Sequence, residues 1–194
     1  MGTADQGLIL AITGASGVAI GVRLLEALAE RGEAVHLVIS PGAETVIREE
    51  VGRAIGDLKA LATYYYAPHD MAASLASGSY VSPNIRAMII APCSMKTAAA
   101  IASGYAENLI GRAADVILKE GKRLVIVPRE SPLNAIQLEN LLRLARAGVA
   151  IVPPSPPFYQ LPSTVAELID QIVGRILDQV GVHTDLTKRW SGRP

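Results

Sequence analysis

The chain has 194 residues, enough for one domain with a substantial core and rather few for two. Its 18 Lys and Arg residues balance 18 Asp and Glu residues, so bulk charge favours neither nucleic-acid binding nor a membrane surface. Half of the residues are hydrophobic, yet no apolar stretch is long enough to cross a bilayer. We therefore expect the surplus of apolar side chains to lie at a subunit interface.

The elements along the chain alternate between strands and helices. MGTADQG leads straight into a strand pattern, so no signal peptide is expected. Short apolar runs predict five buried strands, at residues 8–13, 34–39, 86–91, 123–127 and 150–152. Helical patterns separate them, and three of these patterns end in a glycine suited to a helix C-terminus: Gly32, Gly121 and Gly148. This order predicts an α/β fold with a single doubly wound, mainly parallel sheet and helices on both faces.

The whole chain, residues 1–194, is assigned to one domain, with a core of about 8–182 and a polar tail of about 183–194. The longest irregular piece is predicted at residues 64–84, which are rich in Ala, Ser, Gly and Pro. A loop of that length in a compact domain is usually functional or mobile.

Ligands bind beyond the carboxyl ends of the strands in sheets of this kind, so the residues after each strand are the first candidates for a site. After the first strand, Gly14-Ala15-Ser16-Gly17 opens a helix, and its amides and hydroxyl can face an anion. A tight turn capped by Ser16 would give the same pattern. A short-chain nicotinamide reductase would also fit TGASG, but no Tyr is followed four residues later by the Lys that such enzymes need.

Ser40 follows the second strand, and Ser94 to Thr97 follow the third. Ser94, Lys96 and Thr97 suit phosphate, ribityl or ring contacts, although an ordinary helix N-cap with a solvated lysine is an equal alternative. Cys93, the single cysteine, excludes an internal disulfide framework and favours a reducing cytoplasm. Because no histidine lies near it in sequence, Cys93 is expected to be a buried packing residue rather than a nucleophile. His36, His69 and His183 show no metal-ligand spacing, and we predict no metal.

The fourth strand ends abruptly in Arg129 and Glu130. One explanation is a helix start with Pro132 in its first turn, where Glu130 would favour the helix dipole. That explanation accounts poorly for Arg129, because a cation at a helix N-terminus is unfavourable unless an anion neutralises it. We therefore predict an anion site at Arg129 and Glu130. Taken singly, Arg112, Lys119, Arg175 and Tyr159 are compatible with ordinary surface positions.

Seven motifs, taken together and in order, carry a resemblance to a known family: TGASG, ASGSY at 76–80, APCSMKT at 91–97, NLIGRAADVILKE at 108–120, PRESPL at 128–133, LEN at 138–140 and PPSPPFY at 153–159. In these motifs the chain resembles the UbiX-type flavin prenyltransferases, from about Leu8 to Trp190. The resemblance implies a flavodoxin-like or Rossmann-like fold. It also implies FMN binding by Gly14, Ala15, Ser16, Ser40, Ser94, Met95, Lys96, Thr97 and Arg129.

Enzymes of this family transfer a dimethylallyl group from dimethylallyl monophosphate to N5 and C6 of reduced FMN without a metal. The product serves a UbiD-type decarboxylase, and the enzymes form dodecamers whose sites draw on neighbouring subunits. By the same resemblance, the substrate phosphate is expected to contact Lys119, Arg129, Glu130, Tyr159, Arg175 and Arg112.

The resemblance also implies catalytic roles. Glu130 is expected to manage a proton on the phosphate. The released phosphate is expected to remove the flavin C6 proton, with Ser16 or Glu50 assisting, and Glu49 is the alternative to Glu50. Tyr80 would offer a π face to the prenyl carbons. The family often has threonine where Ser131 stands and histidine where Gln137 stands, so no proton role is assigned to position 137.

Two other functions remain open on the sequence. A flavin-dependent cysteine decarboxylase of the same superfamily would have a PASANT-like stretch, preceded by a catalytic histidine, where this chain has APCSMKT and no histidine at 76–83. An FMN-binding electron carrier would have no use for a second anion pocket.

Overall fold

A computed structural model describes residues 6–187 and Gly192. Six strands form one parallel sheet in the order β3-β2-β1-β4-β5-β6. Their bounds are β1 Gly7–Ile12, β2 Val35–Ile39, β3 Tyr64–Tyr66, β4 Ile85–Cys93, β5 Arg123–Pro128 and β6 Ala150–Ile151. The prediction of a doubly wound parallel sheet is confirmed.

Eight helices connect and cover these strands within residues 6–187. They are α1 Val18–Glu30, α2 Pro41–Glu50, α3 Ile55–Leu61, α4 Gly78–Asn84, α5 Met95–Ala102, α6 Leu109–Lys119, α7 Ala135–Arg146 and α8 Val165–Asp178. Short 3₁₀ turns lie at Ser74–Ala76 and Phe158–Gln160. None of the helices in this part of the chain is both long and apolar enough to span a membrane.

The sheet is buried on both faces, as expected for parallel strands joined by helical crossovers. Alternate residues of β1 point to opposite sides: Leu8, Leu10 and Ile12 pack with α1, α2, α3 and α8. Ile9 and Ala11 pack with the layer of α4, α5, α6 and α7. Every residue of β1 is buried, so its apolar run follows directly from two-sided burial.

The crossovers change face between β1 and β4, which creates a topological switch point at the centre of the sheet. Thr13, only 2% exposed, joins the two strand ends there. Its hydroxyl donates to the Pro92 carbonyl at 2.8 Å and accepts from the Ser94 amide at 2.7 Å.

Three glycines have left-handed backbone at the helix ends where they were predicted: Gly32 (φ 69°), Gly121 (φ 65°) and Gly148 (φ 85°). L-residues with a side chain rarely adopt this conformation, so glycine ends each helix at low cost.

The prediction of an irregular segment at residues 64–84 is wrong. The segment holds β3, the turn at Ser74–Ala76 and α4, which ends just after Pro83. The possible helix start at Pro132 is also wrong, because α7 begins at Ala135. Its start is capped reciprocally by Asn134 and Gln137.

The start of the predicted polar tail packs against the domain. Thr184 and Thr187 are buried, and the Thr187 methyl lies close enough to Gly174 that a Cβ there would approach it to 2.6 Å. Residues 188–191 and 193–194 of the predicted tail, including Trp190, lie outside the described residues.

Candidate functional site

The carboxyl ends of the central strands meet at one edge of the sheet. The Ser40 amide donates to the Ile12 carbonyl at 3.0 Å, which joins the end of β2 to β1. The Arg129 amide donates to the Cys93 carbonyl at 3.3 Å, which joins the end of β5 to β4. With the Thr13 contacts, these bonds bring four predicted tips to one place, which we call the carboxyl edge.

Gly14 allows the turn after β1 to approach the start of α2. A Cβ at this position would lie 2.8 Å from the Gly42 carbonyl carbon, closer than real Cβ contacts. Ser40 caps α2 and accepts from the Ala43 amide at 3.2 Å. The backbones of the first and second tips therefore lie in contact.

Glu50 is the anion at the N-terminus of α1. Its carboxylate accepts from the Gly17 amide at 2.8 Å, and Gly17 itself has φ 90° and no side chain to cap the helix. Helix α2 thus runs from Ser40 at the tip of β2 to a carboxylate beside the tip of β1. The predicted neighbourhood of Ser16 and Glu50 is present in one chain.

The surroundings of Glu50 favour its ionised form. Burial acts to raise the pKa of this carboxyl, while hydrogen bonds from the Ser16 hydroxyl and from the Gly17 and Val18 amides act to lower it. The charge of Arg129 lowers it further, and the net pKa is below the ordinary value of 4.5. The carboxylate is therefore charged at neutral pH, within the electrostatic reach of Arg129.

Ser94 caps α5 at the tip of β4. Its hydroxyl accepts from the Thr97 amide at 3.3 Å and lies 3.0 Å from the Thr97 hydroxyl. Lys96 projects outward with an 83% exposed side chain, 3.9 Å from Glu107. Ser94 is therefore an ordinary N-cap, as the alternative interpretation expected. The N-terminus of α5 is still open to a ligand.

A cleft of about 260 Å³ lies between α5 and α6. Lys96 and Thr97 line it together with Tyr105 and Asn108. Its volume is just below the usual range for small-molecule pockets, so it gives room for part of a ligand beside the switch point.

Arg129 and Glu130 are exposed in the loop before α7. Glu130 accepts a hydrogen bond from the Ser131 amide at 3.1 Å. Arg129 acts electrostatically on the Glu50 carboxylate. The anion site at Arg129 and Glu130 stays a prediction.

A second group of predicted residues surrounds the ASGSY segment. Arg112 donates to the Ala76 carbonyl at 3.0 Å and pairs with Asp115 at 2.7 Å. Lys119, two turns further along α6, pairs with Glu120 and lies so close to Gly78 that a Cβ there would be 2.5 Å from its Nζ atom. Tyr80 lies on α4, partly buried against the same layer.

Tyr159 and Arg175 form a third group beside α8. Gln160 hydrogen bonds to Thr187, and Thr187 packs against Gly174, so the chain next to Tyr159 lies near the chain next to Arg175. Arg175 pairs with Asp178 at 3.2 Å and its side chain is 60% exposed. Tyr159 is also 60% exposed.

Lys119 and the end of α8 lie at the amino end of the sheet. Just after α6, Lys122 donates to the carbonyl of Ile85, the first residue of β4. Arg123, the first residue of β5, binds Gln179 just after α8 at 2.9 Å. β5 separates Arg123 from Arg129 by about 20 Å at ~3.3 Å per residue. Lys119 and Arg175 therefore lie far from Arg129 within one chain, whereas Glu130 is its neighbour in sequence.

Thr13 is a residue that the sequence analysis did not assign to the site. Thr13 is the last residue of the first predicted strand, and its role in joining β1 to β4 appears only in the fold. The available signal was a polar side chain at the end of a fully apolar run. Gly42 was also missed, because its need for close backbone approach depends on Gly14.

Cys93 is fully buried and unpaired, and burial raises the pKa of its thiol to about 12. The prediction of a packing residue is confirmed. Within residues 6–187 and Gly192, no group of three or more His, Cys, Asp or Glu side chains could hold a metal ion.

Comparisons with known proteins identify the family of this chain. The family profile described as Flavoprotein matches residues 3–180. The probable UbiX-like flavin prenyltransferase of Escherichia coli O157:H7 is 50% identical over 188 residues, which cover 96% of this chain and 94% of that protein.

Two solved structures superpose on nearly the whole chain. The dodecameric FMN-dependent UbiX-like decarboxylase from Escherichia coli O157:H7 has a TM-score of 0.93 and 49% identity, covering 96% of this chain and 100% of that one. AnUbiX (PadA1), in complex with FMN and dimethylallyl pyrophosphate, has a TM-score of 0.94 and 44% identity, covering 97% and 99%. The chain belongs to the flavoprotein family and, within it, to the UbiX-like flavin prenyltransferases.

Proposed function

We propose that this protein transfers a dimethylallyl group from dimethylallyl monophosphate to N5 and C6 of reduced FMN, without a metal. The observation that carries the proposal is the cluster of Ser16, Glu50 and Arg129 at the switch point, where proton-handling groups lie beside a cation. The prenylated flavin then serves a UbiD-type decarboxylase. The single cysteine, a buried thiol, supports a reducing compartment, and we assign the protein to the cytoplasm.

The carboxyl edge fits FMN by the chemistry of its donors. The N-termini of α2 and α5 offer amides and the hydroxyls of Ser40, Ser94 and Thr97, which suit phosphate and ribityl oxygens. Gly14 lets the turn after β1 pack against the start of α2, where a Cβ would collide with Gly42, and Arg129 supplies positive charge. We assign FMN binding to Gly14, Ala15, Ser16, Ser40, Ser94, Met95, Lys96, Thr97 and Arg129.

Bound reduced FMN supplies the nucleophilic positions, and the protein must stabilise the leaving phosphate. Breaking the allylic C–O bond increases negative charge on that phosphate, so fixed cations that bind it more tightly in the transition state lower the barrier. We assign this role to Arg129 with Lys119, Arg112 and Arg175, and a supporting hydrogen bond to Tyr159.

These cations must come from more than one copy of the chain. Lys119 lies at the opposite end of the sheet from Arg129, about 20 Å away by the rise of β5. Charges that far apart are screened from each other, because the Debye length in cells is only about 8 Å. A phosphate bound by both therefore requires an assembly, and we propose a homododecamer like that of the Escherichia coli relative. Each site then combines the carboxyl edge of one copy with cations of its neighbours.

Two carboxyl groups divide the proton transfers. Glu130 lies next to Arg129 in an exposed loop, where it can exchange a proton with the phosphate. Glu50 is held ionised and accepts a hydrogen bond from Ser16, so the pair can remove the proton from the flavin C6 position. Tyr80 offers an aromatic face to the prenyl carbons, which carry partial positive charge during transfer.

The direct test is anaerobic. The purified protein is reduced with FMN, mixed with dimethylallyl monophosphate in a metal-chelating buffer, and the mass of the extracted flavin is measured. A gain of one dimethylallyl unit is expected. Unmodified FMN, with binding and full reduction verified, would refute the proposal and favour a decarboxylase or an electron carrier.

A further inference from the structure

A cluster of aromatic side chains lies behind Tyr80. His36 and Tyr64 are partners in the β2–β3 register, and their rings stack with centroids 4.6 Å apart. Tyr66, two residues along β3, points to the same face. Tyr80, on α4, meets the His36 ring edge-on at 6.2 Å. We call His36, Tyr64, Tyr66 and Tyr80 the aromatic cluster.

Hydrogen bonds hold the cluster in one arrangement. The Tyr66 hydroxyl lies 3.1 Å from Nδ1 of His36 and 3.2 Å from the Ser74 hydroxyl. Tyr80 is a further neighbour of this phenol, close enough to affect its ionisation. The Tyr66 phenol thereby links β3 to the turn at Ser74–Ala76 and to α4.

Packing fixes the His36 ring at the centre of the cluster, with Tyr66 and Tyr80 partly buried around it and Tyr64 51% exposed. His36 is 3% exposed although it occupies a strand position where an apolar residue would be usual. Gly7 makes room for it, since a Cβ there would lie 2.9 Å from the His36 ring. Val81, the residue after Tyr80, is fully buried in the same layer and anchors α4.

We propose that His36 and Tyr66 are positioning residues that hold Tyr80 against the prenyl group and thereby restrict the enzyme to five-carbon donors. This rests on the proposed function, in which Tyr80 touches the prenyl carbons. The His36 and Tyr66 side chains lie beside Tyr80 and oppose its retraction to admit a longer chain. Emptying the space behind it would let the ring move back and enlarge the pocket.

The test compares dimethylallyl monophosphate with the ten-carbon geranyl monophosphate as donors to reduced FMN. In Tyr66→Ala, the ratio of kcat/KM for geranyl over dimethylallyl donor should rise about tenfold or more, the scale of discrimination that pocket contacts supply. Tyr66→Phe keeps the ring and should stay within about threefold of the native ratio. FMN affinity should not change in either variant.

Tyr65→Ala is the matched control. Tyr65 is the neighbouring residue of β3, on the opposite face, where it packs against the other core and under Lys59. Tyr65→Ala removes a ring of the same size from the same edge strand. Because that ring lies on the face away from Tyr80, the donor ratio should not change. If Tyr66→Ala does not fold, His36→Val provides the same test from β2.

The outcomes separate this inference from the proposed function. An unmodified flavin from the native enzyme would refute the proposed function itself. A native enzyme that prenylates FMN, with the same donor ratio in Tyr66→Ala, His36→Val and Tyr65→Ala, would refute only the positioning role. A Tyr80→Ala variant with a native donor ratio would refute it as well, because Tyr80 would then not limit donor length.

Discussion

The two ends of the sheet differ in how complete they are within one chain. At the carboxyl edge, bonds made by Thr13, Ser40 and Arg129 join the strand tips, and Glu50 closes the N-terminus of α1. At the amino end, Lys119 and Arg175 have carboxylate partners from their own helix or the residue after it. One chain therefore brings the strand tips together at the carboxyl edge, whereas Lys119 and Arg175, which we propose as phosphate-binding cations, lie at the opposite end of the sheet.

The distribution of exposed apolar side chains agrees with this difference. Helix α7, the segment before α8 and the first residue of α8 expose large apolar residues: Ile136, Leu138, Leu142, Phe158, Leu161 and Val165. Exposed apolar surface of this kind is typical of subunit interfaces. The same segment carries Tyr159, so assembly would bury this surface and deliver Tyr159 to a neighbouring site.

The largest effect is expected at Glu130, which the carboxyl edge supplies for chemistry rather than for flavin binding. Glu130→Gln should retain FMN and slow transfer by about 10²–10⁴-fold, the contribution of a positioned proton-transfer group. Single-turnover rates with reduced FMN measure it. Glu139→Gln, an exposed carboxylate on α7, is the control and should transfer at the native rate. Loss of FMN binding in Glu130→Gln would contradict the assigned role.

A variant of Arg175 tests the proposed phosphate-binding role of the cations at the amino end of the sheet. Arg175→Ala should keep native FMN affinity in each chain and lower turnover by about 10²–10³-fold, as for other fixed charges that stabilise a developing anion. Arg48→Ala is matched to it, since Arg48 is also an exposed helical arginine paired with a carboxylate one turn away. Full activity in Arg175→Ala would remove this residue from the phosphate site.

Thr13 tests how the carboxyl edge is held together. Thr13→Val should leave the Ser94 amide without its partner, while the Pro92 carbonyl keeps the bond from the Thr13 amide at 3.2 Å. The expected cost is about 1–3 kcal/mol in the free energy of unfolding. Urea unfolding at one fixed protein concentration measures it, because assembly makes stability concentration-dependent. Thr13→Ser keeps the hydroxyl and should restore most of the loss. Equal stability of Thr13→Val and the native protein would show that the link does not matter.

The smallest expected effect is a change in how the stability of the protein depends on pH when Glu50 is replaced. Its pKa is lower folded than the ordinary 4.5, so its stabilising contribution is full above that value and is lost as pH falls through the folded pKa. Glu50→Gln lacks this contribution and should lose less stability than the native protein on acidification below about pH 4.5. Glu49→Gln is the control. Identical acid profiles for the native protein and Glu50→Gln would contradict the cap on α1.

The sequence predicted the central strands well because two-sided burial imposes uninterrupted apolar runs such as 8–13 and 86–91. It failed for β3, an edge strand of three tyrosines, Tyr64–Tyr66, that has no alternating pattern and depends on pairing with β2. Helix α4 was missed because it is short and contains Pro83 in its last turn. Edge elements depend on tertiary contacts that a local pattern does not record.

The site residues likewise divide into those that the sequence could place and those that only the fold could place. Positions directly after strands, such as Ser40, Ser94 and Arg129, could be placed together from strand order alone. The link between Ser16 and Glu50 depends on the direction of α2, and the separation of Lys119 from Arg129 depends on the direction of α6. Only the fold reveals that the last pair cannot meet within one chain.

Subunit complementation tests the shared site most directly. Arg129→Ala and Arg175→Ala chains, each inactive, would be co-expressed with different tags, and mixed oligomers purified by both tags. If each site takes Arg129 from one copy and Arg175 from another, about one quarter of the sites in randomly mixed assemblies would hold both arginines, and activity should recover to about that fraction. Mixed oligomers no more active than the two variants alone would show that both arginines act in the same chain, and would contradict the account.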